Sequence, residues 1–412
     1  MKSEKLKKLK VRISNFKFKD MLQFKNMPLR RDKAIEQAED KDIVTSFPIN
    51  NNARLLHPET QKMVVSKIIE RPEAGARTLI LRTADGSPAA WFRAGQYVSL
   101  KLKIGDSCVT RPYSISSSPK LTKEGKVCIT VKRTLGGFVS DHLIYDVKEG
   151  DNITISGPDG FFYHDRLRDS KNVVAIAGGS GITPFLSMAY AIRDSIEDFN
   201  LTILFGSRTE DSILFKNELD MIQNETDKVK VIHVLSDENR NGYEHGFMTA
   251  DLIRRYSPEG DYSLFICGPE GLYNFMDEET RKLDLPMRRV RREITGAPKN
   301  VDKLPDYPAE AVGKIFNVKV IQGPDTYEIT ASSSESVLCA IERAGILAPS
   351  KCRSGECGWC RSKLLSGSVY IPEKNEARRQ MDRETEHIHP CISFPLSDLV
   401  IEVPRGDFHL DF

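Results

Sequence analysis

From Met63 onward, apolar and polar positions alternate with a period of two. M-V-V-S-K-I-I, T-L-I-L-R-T, Y-V-S-L-K-L and V-C-I-T-V-K-R are strand-length, β-branched runs separated by Gly, Pro and Asp turns. Many short strands of this kind predict a barrel or sandwich, here an antiparallel β-barrel over residues 61–166. The pattern changes at Asn172. N-V-V-A-I-A is the unbroken apolar run of a strand buried on both faces. It leads into G-G-S-G-I-T-P (178–184) and an apolar helical stretch. L-T-I-L-F-G-S-R, V-K-V-I-H-V-L-S and Y-S-L-F-I-C-G-P-E-G follow, spaced by helix-length segments. Strands alternating with helices predict a doubly wound α/β domain with a parallel sheet over 167–290.

The two ends of the chain read differently. Residues 288–308, R-R-V-R-R-E-I-T-G-A-P-K-N-V-D-K-L-P-D-Y-P, are basic and then rich in Pro, Asp and Gly. They predict a tether over 291–313, which would raise the effective concentration of one module at another. Beyond it, F-N-V-K-V-I and T-Y-E-I-T-A are strands, S-V-L-C-A-I-E-R-A-G has helical spacing, and L-V-I-E-V-P closes a third domain over 314–412. At the other end, residues 1–60 form a basic extension and linker. The first 33 residues hold twelve Lys or Arg against three acids, with Leu6, Leu9, Ile13 and Phe16 at helical spacing. A basic amphipathic helix can lie on a membrane surface or dock on an acidic partner. We favour a helical extension packed on the body or used in assembly. Thr45 to Pro58, with three consecutive asparagines and two prolines, reads as a linker.

A chain of 412 residues exceeds one core, in line with several domains. Its net charge of +2 carries no message about nucleic acid. No apolar run approaches the roughly 18 residues needed to span a bilayer. The basic N-terminus has no apolar core after it, so no secretory signal is expected. A cytoplasmic location is expected.

Cysteine spacing brings in the chemistry. C-R-S-G-E-C-G-W-C places Cys352, Cys357 and Cys360 at C-x4-C-x2-C, and Cys391 follows about thirty residues on. This is the plant-type spacing for a [2Fe–2S] cluster held by four thiolates. A structural zinc site usually draws on two short C-x-x-C pairs, and only one exists here. Cys108, Cys128, Cys267 and Cys339 are scattered singly, as free thiols in a reducing compartment would be. His387 and His389 lie near Cys391, but a Rieske centre needs two Cys-x-His pairs. Both histidines are read as surface or structural.

Other motifs sit on this frame: G-Q-Y at 95–97, R-P-Y-S at 111–114, and K-R-T-L-G-G-F-V-S-D-H-L at 132–143. With G-G-S-G-I-T-P and C-G-P at 267–269, they resemble the ferredoxin–NADP reductase superfamily, whose flavin signature is R-x-Y-S. The resemblance implies a flavin site formed by Gln96, Tyr97, Arg111, Pro112, Tyr113, Ser114 and Lys132. Arg111 would pair with flavin phosphate, Tyr113 would lie against the isoalloxazine or ribityl chain, and Ser114 would hydrogen-bond near N5. Gly136, Gly137, Val139 and Ser140 would supply a glycine turn and helix N-terminus for a pyrophosphate. Relatives that use FMN tend to lack that helix start, so its presence implies FAD. Gly178, Gly179, Gly181, Thr183 and Pro184 would receive the nicotinamide pyrophosphate. Cys267, Gly268 and Pro269 would lie by nicotinamide C4. Ser207 and Arg208 follow the second strand, where the adenosine ribose is read. Arg208 leans toward NADPH, but Glu210 and Asp211 follow it and similar relatives use NADH, so the donor stays NADH or NADPH. The third domain resembles the β-grasp fold of plant-type ferredoxins, with the four cysteines matching its cluster ligands.

The module order flavin, nicotinamide, ferredoxin over 61–412 is similar to that of oxygenase reductase components and of the reductases of hybrid-cluster proteins. It implies an NAD(P)H-dependent reductase that converts a two-electron donor into single electrons for a separate terminal acceptor protein, an oxygenase or another reductase component. Two alternatives stay in view: a self-sufficient flavin reductase acting on small molecules or quinones, and a redox-responsive binding module. No Ser/His/Asp triad or paired-carboxylate signature suggests a hydrolase.

Overall fold

The computed structural model describes residues 48–293 and 296–406, together with Lys19, Lys33 and Ala34. The basic amphipathic helix expected near the N-terminus falls outside the described residues. Within the expected linker, Pro48–Leu56 is a nine-residue helix, α1, with proline at its start. That position suits proline because its missing N–H would be unpaired there anyway.

Residues from Leu56 onward form one compact unit. Its first part is a curled antiparallel sheet of β1 (Thr60–Arg71), β2 (Ala76–Thr83), β3 (Tyr97–Ile104), β4 (Ser107–Ser114), β5 (Lys126–Lys132) and β6 (Asn152–Ser156). Between β5 and β6 comes a short helix, α2 (Phe138–Tyr145). The strand order is β4-β3-β6-β1-β2-β5. An isolated bridge between Ile115 and Ile129 ties the two edges together, so the sheet closes toward a barrel. Inward residues of these strands, among them Leu79, Leu81, Val98, Leu100 and Ile155, form its buried core.

The second part is a six-stranded parallel sheet built from β7 (Asn172–Gly178), β8 (Asn200–Ser207), β9 (Val229–Leu235), β10 (Glu244–His245), β11 (Ser263–Cys267) and β12 (Val290–Arg292). Its order is β10-β9-β8-β7-β11-β12. Alternate residues of β7 serve opposite faces. Val173, Ala175 and Ala177 meet α3 (Thr183–Arg193) and α4 (Lys216–Glu225). Val174 and Ile176 meet α5 (Ala250–Tyr256) and α6 (Glu270–Arg281). The chain runs outward from β7 to β10, then returns to the other side of β7 at β11. Ligands of open α/β sheets bind at the strand ends beside such a reversal.

One expectation needs correcting here. The arginine-rich run assigned to the tether is partly strand: Val290, Arg291 and Arg292 pair in parallel with Leu264, Phe265 and Ile266. Backbone bonds hold that edge, and the charges are met locally by Asp261 and Asp277. The rest of the connection is not a free tether either. Val301, Tyr307 and Ala311 pack against Tyr370 and Phe394 of the third domain.

That third domain is a mixed sheet in the order β14-β13-β19-β15-β17, where β17 is His387–Ile388, with a separate pair formed by β16 (Val369–Tyr370) and β18 (Phe394–Pro395). Its main strands are β13 (Ile315–Gln322), β14 (Asp325–Ser332), β15 (Ser362–Ser366) and β19 (Leu399–Glu402). The helix α7 (Val337–Arg343) buries Val337, Leu338, Ala340 and Ile341 against it, giving the expected β-grasp arrangement.

Candidate functional site: a flavin, nicotinamide and cysteine-cluster face

The four cysteines come together as two pairs. Cys360 and Cys391 bring their sulfurs to 3.4 Å. Cys352 and Cys357 form the other pair, and the N–H groups of Ser354 and Cys357 both donate to Cys352 Sγ at 3.4 Å. Trp359 N–H donates to Cys357 Sγ. Among the described residues, no three or more His, Cys, Asp or Glu side chains converge as they would on one ion. Two thiol pairs suit two irons, each taking a pair, better than one tetrahedral zinc. Hydrogen bonding between the two side chains draws the Cys352 thiol below its ordinary value, against the upward pull of burial, and pushes the Cys357 thiol up.

The loop carrying them depends on left-handed backbone. Gly355 and Gly358 have positive φ, and a Cβ on Gly355 would stand 2.9 Å from Ile392 Cγ1. His389 is buried, and its Nδ1 lies 2.6 Å from the Gly355 carbonyl. A proton on Nδ1 satisfies that acceptor. His387 sits nearer the surface, bonded to Thr385. Cys357 is exposed, so the cluster site reaches the surface beside Trp359, which is 52% exposed and lies under Lys351 Nζ.

On the flavin domain, Tyr97 and Ser114 are register partners on β3 and β4. Gln96 is clamped from both sides: its Oε1 accepts from Arg93 N–H in its own loop, and its Nε2 donates to Gly160 O beyond β6. A Cβ on Gly95 would sit 2.0 Å from Phe162 O, so only glycine fits that turn. Pro112 and Tyr113 are half-buried on β4, and burial pushes the Tyr113 phenol up to about 12. Arg111 makes its bonds through Nη1, to Thr110 O at 2.8 Å and Glu342 Oε2 at 3.1 Å. It lines a cavity of about 440 Å³ with Tyr113, Lys299 and Arg353. Gly137 starts α2, Gly136 before it has positive φ, and Val139 is buried beneath. Ser140 Oγ accepts from Thr134 N–H and so closes the glycine turn.

On the nicotinamide domain, the two glycine motifs meet at the carboxyl ends of β7 and β11. A Cβ on Gly181 would stand 2.1 Å from Cys267 O. One on Gly268 would stand 3.2 Å from Gly178 N and 2.5 Å from Leu272 Cδ2. Thr183 and Pro184 open α3 directly after this turn. Pro269 caps α6. Burial raises the Cys267 thiol far above its ordinary value, so it stays neutral. Ser207 Oγ, at the end of β8, is buried without a hydrogen-bond partner. Lys132 reaches across from β5 to within 3.4 Å of a Cβ position on Gly179. Its pKa is lowered, first by burial and then by Arg208. Glu210 is engaged by Tyr243 and Arg240.

A glycine cradle with no room for side chains, an orphaned hydroxyl and a cationic pair at its mouth fit a dinucleotide pyrophosphate and ribose. The paired thiols likewise fit the cluster. Arg111 engages protein only through Nη1, leaving Nε and Nη2 without a partner among the described residues. With the glycine turn before α2, that fits a flavin phosphate.

Sequence reasoning missed Glu293, which is 8% exposed beside Tyr97 and Gly160. Burial, then Glu356 and Cys352, push its carboxyl up to about 8. It also missed Tyr273, whose hydroxyl accepts from Gly268 N–H and donates to Glu293 O. Glu342 and Arg353 were missed as well. In sequence each is an ordinary charged residue, and only Arg353, directly after Cys352, carried any signal.

The fold and the paired cysteines define a modular flavin and iron–sulfur reductase. Comparison with known proteins agrees. Residues 67–164 match the oxidoreductase FAD-binding domain, 175–278 the oxidoreductase NAD-binding domain, and 320–396 the 2Fe-2S iron-sulfur cluster binding domain. The glycine betaine monooxygenase reductase subunit of Pseudomonas aeruginosa is 28% identical over 331 residues, covering 77% of this chain and 89% of that one. NADH-cytochrome b5 reductase 1 of Candida glabrata is 34% identical over 214 residues, covering 50% of this chain and 73% of the relative. The solved phthalate dioxygenase reductase shares the fold, with a TM-score of 0.61 at 24% identity over 84% of this chain and 98% of its own. The chain belongs to the ferredoxin–NADP reductase superfamily, in the group with a C-terminal [2Fe–2S] domain. It is an NAD(P)H-dependent oxidoreductase that passes electrons through FAD and a [2Fe–2S] cluster to a separate acceptor protein.

Proposed function

We propose that the acceptor is an oxygenase component and that the motif residues divide the work as their positions suggest. The observation that supports the route from flavin to cluster is the seating of the cluster loop on the flavin domain. Arg353 Nη1 lies 3.4 Å from Thr110 O, Ser99 Oγ lies 3.4 Å from Lys351 O, and Lys351 Nζ pairs with Asp159 at 3.0 Å. An oxygenase acceptor is supported by the relatives that are monooxygenase reductase subunits or components.

When bound, FAD takes two electrons as hydride and gives them up one at a time, the conversion a one-electron cluster needs. The chain's own task is binding and orientation. Arg111 and the Gly136–Gly137 turn hold the flavin phosphates, and Ser114 faces the reacting edge. Gly178, Gly179 and Gly181 cradle the nicotinamide pyrophosphate, while Ser207 and Arg208 read the adenosine ribose. Cys267, neutral and buried, shapes the nicotinamide end. A cytoplasmic location is supported by Cys108, Cys128, Cys267 and Cys339, the cysteines outside the cluster set, which are all free thiols. Among the described residues no helix is long and apolar enough to cross a membrane.

The test compares the full chain with Cys357→Ser, using a one-electron protein acceptor and a small quinone. The variant should lose reduction of the protein and keep that of the quinone. If protein reduction persists without the cluster, the flavin delivers to the acceptor directly and the route through the cluster is overturned.

A further inference from the structure

Glu342 sits on α7 of the ferredoxin domain, and its side chain is 3% exposed. Its Oε1 accepts from Arg353 Nη1 at 2.5 Å and from Thr110 N–H at 3.3 Å, and its Oε2 accepts from Arg111 Nη1 at 3.1 Å. Two of those three donors belong to β4 of the flavin domain, more than two hundred residues away in sequence. Thr110 O in turn accepts from both arginines, at 2.8 Å and 3.4 Å. Just past α7, a Cβ on Gly345 would stand 2.9 Å from Asp106 O in the β3–β4 turn, so the end of the helix is seated backbone to backbone.

Arg353 directly follows the first cluster cysteine, and Arg111 opens the R-P-Y-S motif. Arg353 alone would suffice for a carboxylate serving only its own domain. Instead, the set of donors around Glu342 is complete only with the two domains docked. A displaced docking that kept the carboxylate buried without Thr110 and Arg111 would leave a desolvated charge short of partners. Buried pairs of this kind select one register more than they add affinity.

We propose that Glu342 is a positioning residue for electron transfer from flavin to cluster, fixing the register of the ferredoxin domain on the flavin domain. The inference rests on the reductase reading above. Transfer between the two centres falls steeply with separation, whereas hydride arrival at the flavin does not involve the ferredoxin domain.

The experiment uses the full chain as Glu342→Ala and Glu342→Gln, each checked for flavin and iron content. Anaerobic stopped-flow mixing with NADH or NADPH separates flavin bleaching from cluster reduction, and hydrogen exchange follows the Thr110 amide independently of turnover. Glu342→Ala should leave flavin bleaching within about twofold of wild type and slow cluster reduction roughly tenfold or more, the scale of a truncated buried pair. The Thr110 amide should exchange faster. Glu342→Gln, which keeps the shape and loses the charge, should fall between and carries the same test if the alanine variant fails to fold. Unchanged cluster reduction in both variants overturns the proposal. So does equal slowing of both phases, which would assign Glu342 to the flavin site through Arg111. A wild-type cluster that never reduces would instead bring down the reductase reading itself.

Discussion

Cys360 and Cys391, thirty-one residues apart in sequence, bring their sulfurs to 3.4 Å in the buried base of the ferredoxin domain. The loop from Cys352 supplies the opposite pair. Cys391→Ser should therefore lose the cluster, seen as lost iron and lost visible absorbance. Flavin reduction by the nicotinamide donor should stay within about twofold, because no cluster ligand belongs to that step. Cys339→Ser, a free thiol outside both pairs, should keep its iron. Retained iron in Cys391→Ser would remove it from the ligand set.

His389 holds the Gly355 carbonyl at 2.6 Å in the cluster loop. His389→Ala leaves that buried acceptor unpaired, at a cost of about 1–3 kcal/mol. The cluster should bleach faster than wild type when the protein is held with a chelator. An unchanged bleaching rate would mean the bond carries no load.

Gly181 and Cys267 are in backbone contact where the two nicotinamide motifs meet. A methyl at Gly181 would stand 2.1 Å from Cys267 O, and overpacking of this kind costs about 1–3 kcal/mol. Gly181→Ala should raise the KM for the nicotinamide donor and slow flavin bleaching, with flavin content unchanged. Wild-type kinetics would mean the strands part without loss.

Glu293 gives the molecule a pH signature. Burial holds its carboxyl at about 8 in the folded chain, against an ordinary 4.5. Between those values the folded chain keeps a proton that the unfolded chain has released, so stability falls as pH rises through this window and levels off beyond it. Glu293→Gln removes the slope. Near pH 8 the variant should exceed wild type by on the order of a few kcal/mol, at about 1.4 kcal/mol per unit, and near pH 4 the two should agree. Thermal unfolding of both proteins across that range checks it, and parallel curves would contradict it.

The motif-bearing strands were legible because their hydrophobic period is strong and local. The cysteine set was legible because cluster chemistry dictates ligand type and spacing. Val290–Arg292 was not, since its pairing with Leu264–Ile266 runs through backbone and its arginines resemble a solvated tether. Glu342 was invisible for another reason. Its role is set by Arg111 and Thr110, and sequence spacing carries no trace of a contact between domains. The helix at Pro48–Leu56 was hidden by the Asn-Asn-Asn run, whose polarity and weak helix propensity point to a loop.

The most direct test of the relay is an anaerobic titration of the full chain with NADH and, separately, NADPH, followed by absorbance and low-temperature EPR. Flavin bleaching followed by the rhombic signal of a reduced [2Fe–2S] cluster is the expected result, and the faster nucleotide identifies the donor. A flavin that bleaches while an intact cluster stays oxidised would contradict the account.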